Sequence, residues 1–231
     1  MYQTVSLSGG KDSTAMLLMM LERGEQVDEV VTFDFGMEYP EMYEHIDRLG
    51  RDTGLTFTRL KPPHSFEHYM FDHVRTRGKY KGVPGWGWPK VNARWCTKIK
   101  TDTIDRHLKG HADLVQCVGI AADEPKRVRD KRYPLVEWGV TEQMALDYCK
   151  ARGYDWGGLY DYVKRVSCWL CPLGSLDNFR QLRRHHPELW ERLREMDARA
   201  CNDYTPNWTF AQLDARFEAE DRQMSLWEVA R

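Results

Sequence analysis

Apolar positions in the first quarter of the chain alternate between two periods. The short run Val5-Ser6-Leu7 predicts a strand, and Thr14 to Leu21, rich in leucine and methionine, predicts a helix. Val27 to Phe35 is largely apolar and predicts a second strand buried on both faces, ending at Gly36. Met37 to about Thr53 carries a proline near its start and apolar residues at helical spacing, and Leu55 to Leu60 alternates like a third strand. Strand, helix, strand, helix, strand with short connections predicts an α/β fold, a doubly wound parallel sheet with ligands at the carboxyl ends of its strands.

Further on, His64 to Phe71 fits a short helix, and Arg94 begins a helix running through Ile104 and Leu108. Leu114 to Ile120 predicts a fourth parallel strand, Tyr133 to Trp138 another short strand, and Thr141 to Cys149 a helix with a threonine N-cap. From Leu176 onward Phe179, Leu182, His186, Leu189, Leu193 and Met196 recur at helical spacing, and Thr209 through Trp227 fits a last helix. This divides the chain into an α/β domain over 1–165 and a helical, cysteine-bearing extension over 166–231.

At 231 residues the chain is long enough to bury a core without covalent staples. The net charge of −1 excludes a global field that would draw it to nucleic acid or a membrane. No apolar run approaches a membrane span, and the first strand begins without a signal core, which implies a cytoplasmic protein. In that setting six cysteines point to metal, cluster or thiol chemistry before disulfides. Cys117 and Cys149 sit in apolar or helical runs and read as structural.

Ser8-Gly9-Gly10-Lys11-Asp12-Ser13 lies between the first strand and the first helix. Adjacent glycines let backbone N–H groups approach an oxyanion, and the following helix aims its positive end at the same spot. Lys11 adds a mobile charge, and Ser8, Ser13 and Thr14 add hydroxyls. The bland alternative is a plain turn with a solvated lysine. The spacing is not that of a Walker A loop.

The six residues resemble the PP-loop of the adenine-nucleotide alpha-hydrolase-like superfamily, whose signature is Ser-Gly-Gly-x-Asp-Ser. The resemblance implies that Ser8, Gly9, Gly10, Lys11, Asp12 and Ser13, with Ser6 at the strand end, bind ATP with Mg2+ and support AMP transfer with release of pyrophosphate. Asp34, Gly36, Glu38 and Pro40 match that group's Asp-x-Gly-x-Glu-x-Pro pattern. Lys11, Asp12, Asp34 and Glu38 then become the catalytic candidates, although Asp34 and Glu38 also suit an ordinary strand end and helix start.

A Cys-x-x-Cys turn, Cys168 and Cys171, lets two thiolates converge on one metal. Cys96, at a predicted helix start that favours a thiolate, is the natural third. Here the likeness narrows to the PAPS reductase-like branch: Arg94, Cys96 and Thr97, then Gly119 and Glu124, then Tyr133 to Trp138, then Cys168 to Pro172 match its elements in order. It spans Tyr2 to about Trp190 and adds Gly119 and Glu124 to the cofactor set. By that resemblance Cys96, Cys168 and Cys171 hold a 4Fe-4S cluster. Cys201 either closes the site as a fourth ligand or leaves one iron open. Zn2+, with His185 or His186, and bare thiols are the alternatives.

Trp95 stands where cluster-bearing adenylylsulfate reductases have a second cysteine, and no cysteine follows Cys201, where sulfonucleotide reductases carry a nucleophilic one. This directs the expectation toward an adenylating sulfurtransferase using a sulfur donor or reductant, its acceptor DNA, tRNA or a small metabolite. A sulfonucleotide reductase relying on an external thiol is the alternative, as is a silent nucleotide sensor, and a homodimer is open. The basic, aromatic stretch Arg75 to Pro89 suits a single-stranded nucleic acid, a lid over the nucleotide or a plain surface loop. The cluster Arg180, Arg183, Arg184, His185 and His186 suits either a phosphate backbone, a second substrate or a solvated face.

Overall fold

Val30 and Val31 point to opposite faces of their strand, and both are buried. A sheet in this molecule must therefore be covered on both sides. A computed structural model describes residues 1–229, with side chains through residue 223. It shows four parallel strands, β1 (Tyr2–Ser6), β2 (Glu29–Phe33), β3 (Phe57–Leu60) and β4 (Leu114–Val118), in the order β3-β2-β1-β4. Ser6 pairs with Val31 on one side and Val118 on the other, so the loops after β1, β2 and β4 leave one edge of the sheet together.

The chain forms two compact units that interleave in sequence: residues 1–63 with 97–162, and residues 64–96 with 163–231. In the first unit, α1 (Lys11–Glu22) buries Ala15, Met16, Leu17 and Met20 and packs on α4 (Pro134–Glu137) and α5 (Glu142–Lys150). Helix α3 (Trp95–Leu108) sets Ile104 and Leu108 against Val31 and Phe33 of β2. Helix α2 (Pro40–Thr53) opens on its proline, whose missing N–H costs nothing at that position. Cys117 and Cys149 are fully buried, and burial pushes their thiols up to about 11 and about 12, as structural cysteines require.

One expectation is corrected, and another is resolved more finely. Tyr133 to Trp138 is not a strand: Arg132 makes a single parallel bridge to Cys117, and α4 follows as one helical turn closed by Trp138 N–H to Pro134 O at 3.0 Å. Pro134 cannot donate to a ladder, and its fixed φ suits the first position of a helix. The long C-terminal periodicity is two helices, α7 (Leu176–His185) and α8 (Pro187–Arg199), because the residue before a proline is driven out of helical geometry. His186 there has φ −134° and ψ 63°. Helix α6 (Leu159–Tyr162) ends the first unit, and α9 (Phe210–Val229) closes the chain's described helices. No helix among the described residues is long and apolar enough to cross a membrane.

In the second unit a π-helical turn, His68–Asp72, stands where the short helix was expected. The tryptophans of the 75–89 stretch are spent on packing. Trp88 is 1% exposed, donates its indole N–H to Asp197 at 2.8 Å and meets Tyr204 edge-on at 4.9 Å. Trp86 stacks on Tyr69 at 5.3 Å. A Cβ on Gly87 would lie 1.7 Å from the Asn202 side chain, so this backbone is wedged in place. Arg180 forks onto Glu220 at 2.7 and 3.2 Å, and Arg183 pairs with Asp221, which ties α7 to α9. Arg180 foremost holds the Glu220 carboxyl down at about 2.

Candidate functional site

The loop after β1 is shaped by a close neighbour. Gly9 has φ +80°, and a Cβ there would stand 2.8 Å from Ile46 of α2. Only glycine meets both demands. Gly10 is extended and caps α1, whose first turn is Lys11, Asp12 and Ser13. Ser13 Oγ lies 3.1 Å from Ser8 Oγ and receives the Ser8 N–H at 3.2 Å, which closes the loop on itself. Gly9 O accepts the Trp156 indole N–H at 2.7 Å, and Lys11 N–H donates to the Tyr160 hydroxyl at 3.0 Å. An oxyanion arriving at the start of α1 would seek that same N–H.

Lys11 is 7% exposed. Its Nζ sits 2.8 Å from Asp12 Oδ1 and 3.3 Å from Glu142 Oε1. Asp12, Glu124 and Glu142 each offer an oxygen, and the three lie within 4.8 Å of one another. Arg127 pairs with Glu124. Burial holds the Asp12 carboxyl above the usual range against the pull of Lys11, and the charges of Glu142 and Glu124 push the same way as burial. A cation among these oxygens would relieve that crowding. Hard carboxylate donors are the set that Mg2+ prefers, so the residues fit this ion.

Gly119, just past β4, passes so near α1 that a Cβ would lie 2.6 Å from Ser13 Cα and 2.7 Å from Ser13 N. The structure thus brings Gly119 and Glu124 to the loop residues Asp12 and Ser13. Ser6 Oγ accepts from Gln116 Nε2 at 2.7 Å across the β1–β4 pair. Asp34 and Glu38 occupy the adjoining loop after β2. Asp34 Oδ1 accepts the Gly36 N–H at 2.6 Å and the Tyr43 hydroxyl at 2.7 Å, and the Glu38 N–H reaches the same Tyr43 oxygen at 3.3 Å. Burial, with the Asp34 bond next, drives the Tyr43 hydroxyl upward, so it stays a donor.

Beneath the loop lies His45, 4% exposed, with Nε2 2.9 Å from Thr14 Oγ1 and its ring 4.5 Å from that of Trp156. Burial first, then the charge of Arg48, lowers it from 6.5 to about 4. Between those values the unfolded chain binds a proton that the folded chain refuses. Stability contributed by the neutral ring is therefore complete above pH 6.5 and is lost as pH falls toward 4, by about 3 kcal/mol. Melting curves of His45→Gln should show a shallower decline between pH 7 and pH 4.5 than those of the native chain; parallel declines would contradict the assignment.

The four candidate ligand cysteines belong to the second unit. Cys96 is the second residue of α3, and Cys171 N–H donates to Cys168 O at 3.0 Å in a tight turn continued by Gly174 N–H to Cys171 O at 3.0 Å. Cys201 is exposed, its Sγ 3.6 Å from Arg75 Nη2. None of the six cysteines is in a disulfide. Soft thiolate donors suit a 4Fe-4S cluster and a zinc ion alike.

Glu142, Trp156, Tyr160 and His45 were not among the residues singled out from the sequence. Each reaches the loop over a long sequence separation, and no spacing announces it.

Residues 3–173 match the family model of the phosphoadenosine phosphosulfate reductase domain, and the chain belongs to this PP-loop, adenine nucleotide alpha-hydrolase-like family. Its members are generally enzymes, and the family suggests nucleotide binding. The chain is 24% identical over 214 residues to one uncharacterized protein of Methanocaldococcus jannaschii and 22% identical over 203 residues to another. Each alignment takes in 81% of this chain but only 40% and 45% of those relatives. An uncharacterized nin region protein of Escherichia phage lambda is 27% identical over 151 residues, covering 57% of this chain and 52% of its own length. The chain thus spans about half or less of the curated relatives it matches.

Proposed function

We propose that this chain binds ATP with Mg2+, adenylates an acceptor with release of pyrophosphate, and passes sulfur to the activated acceptor with the help of a 4Fe-4S cluster. The observation that supports it best is the convergence on one glycine loop of Lys11 Nζ, the start of α1 and the carboxylates of Asp12, Glu124 and Glu142.

In this reading the acceptor oxygen attacks the α-phosphorus and the bond to pyrophosphate breaks. Backbone N–H groups of residues 9–13 and Lys11 Nζ stabilise the charge that collects on the departing pyrophosphate, a positional and electrostatic contribution. Asp12, Glu124 and Glu142 would hold Mg2+, which when bound shares that charge. Asp34, fixed by Tyr43 and Gly36, and Glu38 beside it orient the ribose or the acceptor. Cys96, Cys168 and Cys171 would hold the cluster, with Cys201 either closing it as fourth ligand or leaving one iron open; when bound it would supply the sulfur-transfer chemistry, in which sulfide from an external sulfur donor replaces the activated oxygen and AMP departs with that oxygen. The acceptor is a nucleic acid, DNA or tRNA, or a small metabolite.

The name of the matched family favours a second reading, reduction of a sulfonucleotide that arrives already adenylated, with an external thiol as reductant. One experiment separates them. Protein purified without oxygen is assayed for iron and sulfide, then incubated either with radiolabelled ATP, Mg2+, sulfide and a candidate acceptor (DNA, tRNA or small metabolites) or with a sulfonucleotide plus dithiol. Iron together with AMP and pyrophosphate from ATP supports the first reading. Sulfite from the sulfonucleotide alone supports the second, and a colourless, iron-free protein that leaves both nucleotides intact defeats both.

A further inference from the structure

Two donors hold one carbonyl of the glycine loop. The Trp156 indole N–H reaches Gly9 O at 2.7 Å, and Thr14 Oγ1 reaches it at 3.3 Å. Behind Thr14 stands His45, its Nε2 2.9 Å from the hydroxyl. With the ring proton on Nε2, His45 donates to Thr14, and the hydroxyl hydrogen is left for Gly9 O. Trp156 is 2% exposed and lies against the His45 ring, so neither donor is free to turn away.

The peptide between Gly9 and Gly10 is trans. In a trans peptide the C=O and the next N–H point in opposite directions. Anchoring Gly9 O toward Trp156 and Thr14 therefore turns the Gly10 N–H away from the indole, at the start of α1. Gly9 and Gly10, lacking side chains, give this peptide little resistance to flipping, and the flipped form would present a carbonyl where a donor is needed. The protein also holds Trp156 at φ 53°, which a bulky residue rarely adopts. Such strain persists where the surroundings over-determine it.

We propose that Trp156 is a positioning residue: through the Gly9 carbonyl it locks the Gly9–Gly10 peptide with its N–H presented to a phosphate, with Thr14 and His45 as a second brace. This rests on the reading of the loop as a phosphate site. Loss of one well-made buried hydrogen bond at this place should weaken phosphate binding by about 10-fold.

The test uses the full chain labelled with 15N-glycine and titrated with Mg2+-pyrophosphate. In the native protein the Gly10 amide should move downfield as it takes up the anion. Trp156→Phe keeps a ring and removes the N–H. It should bind pyrophosphate about 10-fold more weakly and show a smaller Gly10 shift at saturation. A purely structural tryptophan would lower the melting temperature and leave affinity and the Gly10 response unchanged, and that result overturns the proposal. If Trp156→Phe does not fold, Thr14→Val serves: a weaker pyrophosphate complex supports the brace, and native affinity overturns it. Failure of the native protein itself to bind pyrophosphate would refute the phosphate reading of the loop, and the positioning role with it.

Discussion

Lys11→Ala is expected to reduce ATP-dependent release of pyrophosphate by about 10²- to 10³-fold, the cost of removing one well-placed donor to developing charge. Lys11 Nζ is buried beside Asp12 and Glu142, so no solvent cation stands ready to replace it. Its loss also leaves three crowded carboxylates with less compensation, which should raise the Asp12 carboxyl further above its ordinary range. Part of the lost activity should then return as pH rises and Asp12 ionises. Steady-state assays across pH would show it. Lys11→Arg is not expected to rescue, because the planar fork does not fit a pocket built for a compact ammonium. Full turnover in Lys11→Ala would remove the lysine from the proposed chemistry.

Gly119→Ala is expected to lower the melting temperature by about 6–12 °C and to abolish nucleotide binding. The new methyl would meet Ser13 Cα at 2.6 Å and Ser13 N at 2.7 Å, backbone atoms that cannot swing aside like a flexible side chain. Either β4 or the first turn of α1 must shift, at a cost of about 3 kcal/mol. The damage falls on the turn that carries Asp12 and Ser13. Gly50→Ala is the control: that glycine lies inside α2, and its new Cβ would reach the Phe57 ring at an ordinary 3.8 Å. It should stabilise the protein by about 0.5–1 kcal/mol. A Gly119→Ala protein that melts with the native chain would contradict the close approach.

Much of the fold was legible along the chain because its signals are local. Strand residues of β2 and β4 are largely apolar runs bounded by turns, the loop glycines Gly9 and Gly10 precede α1, and Pro40 opens α2. The pattern falls short where one residue's backbone rule outweighs it. Pro134 turned an apparent strand into a helical turn, and Pro187 split a continuous helical period in two. Trp88, open to a reading as a stacking platform, fills the second unit's interior, since its burial depends on partners more than a hundred residues away, Asp197 and Asn202, while Trp86 is half-buried against Tyr69.

The sequence by itself determined the loop. Ser8 to Ser13 follow a strand and precede a helix, and that order dictates backbone donors and a positive helix end at one point, whatever surrounds them. It also set out the candidate thiols. Tertiary structure alone decided what surrounds the loop: Gly119 against α1, Glu142 against Lys11, Trp156 on the Gly9 carbonyl and Tyr160 on the Lys11 N–H. Those contacts span about 100 to 150 residues of chain, and no periodicity encodes them. They exist because a parallel sheet gathers the ends of its strands at one edge, where residues remote in sequence become neighbours.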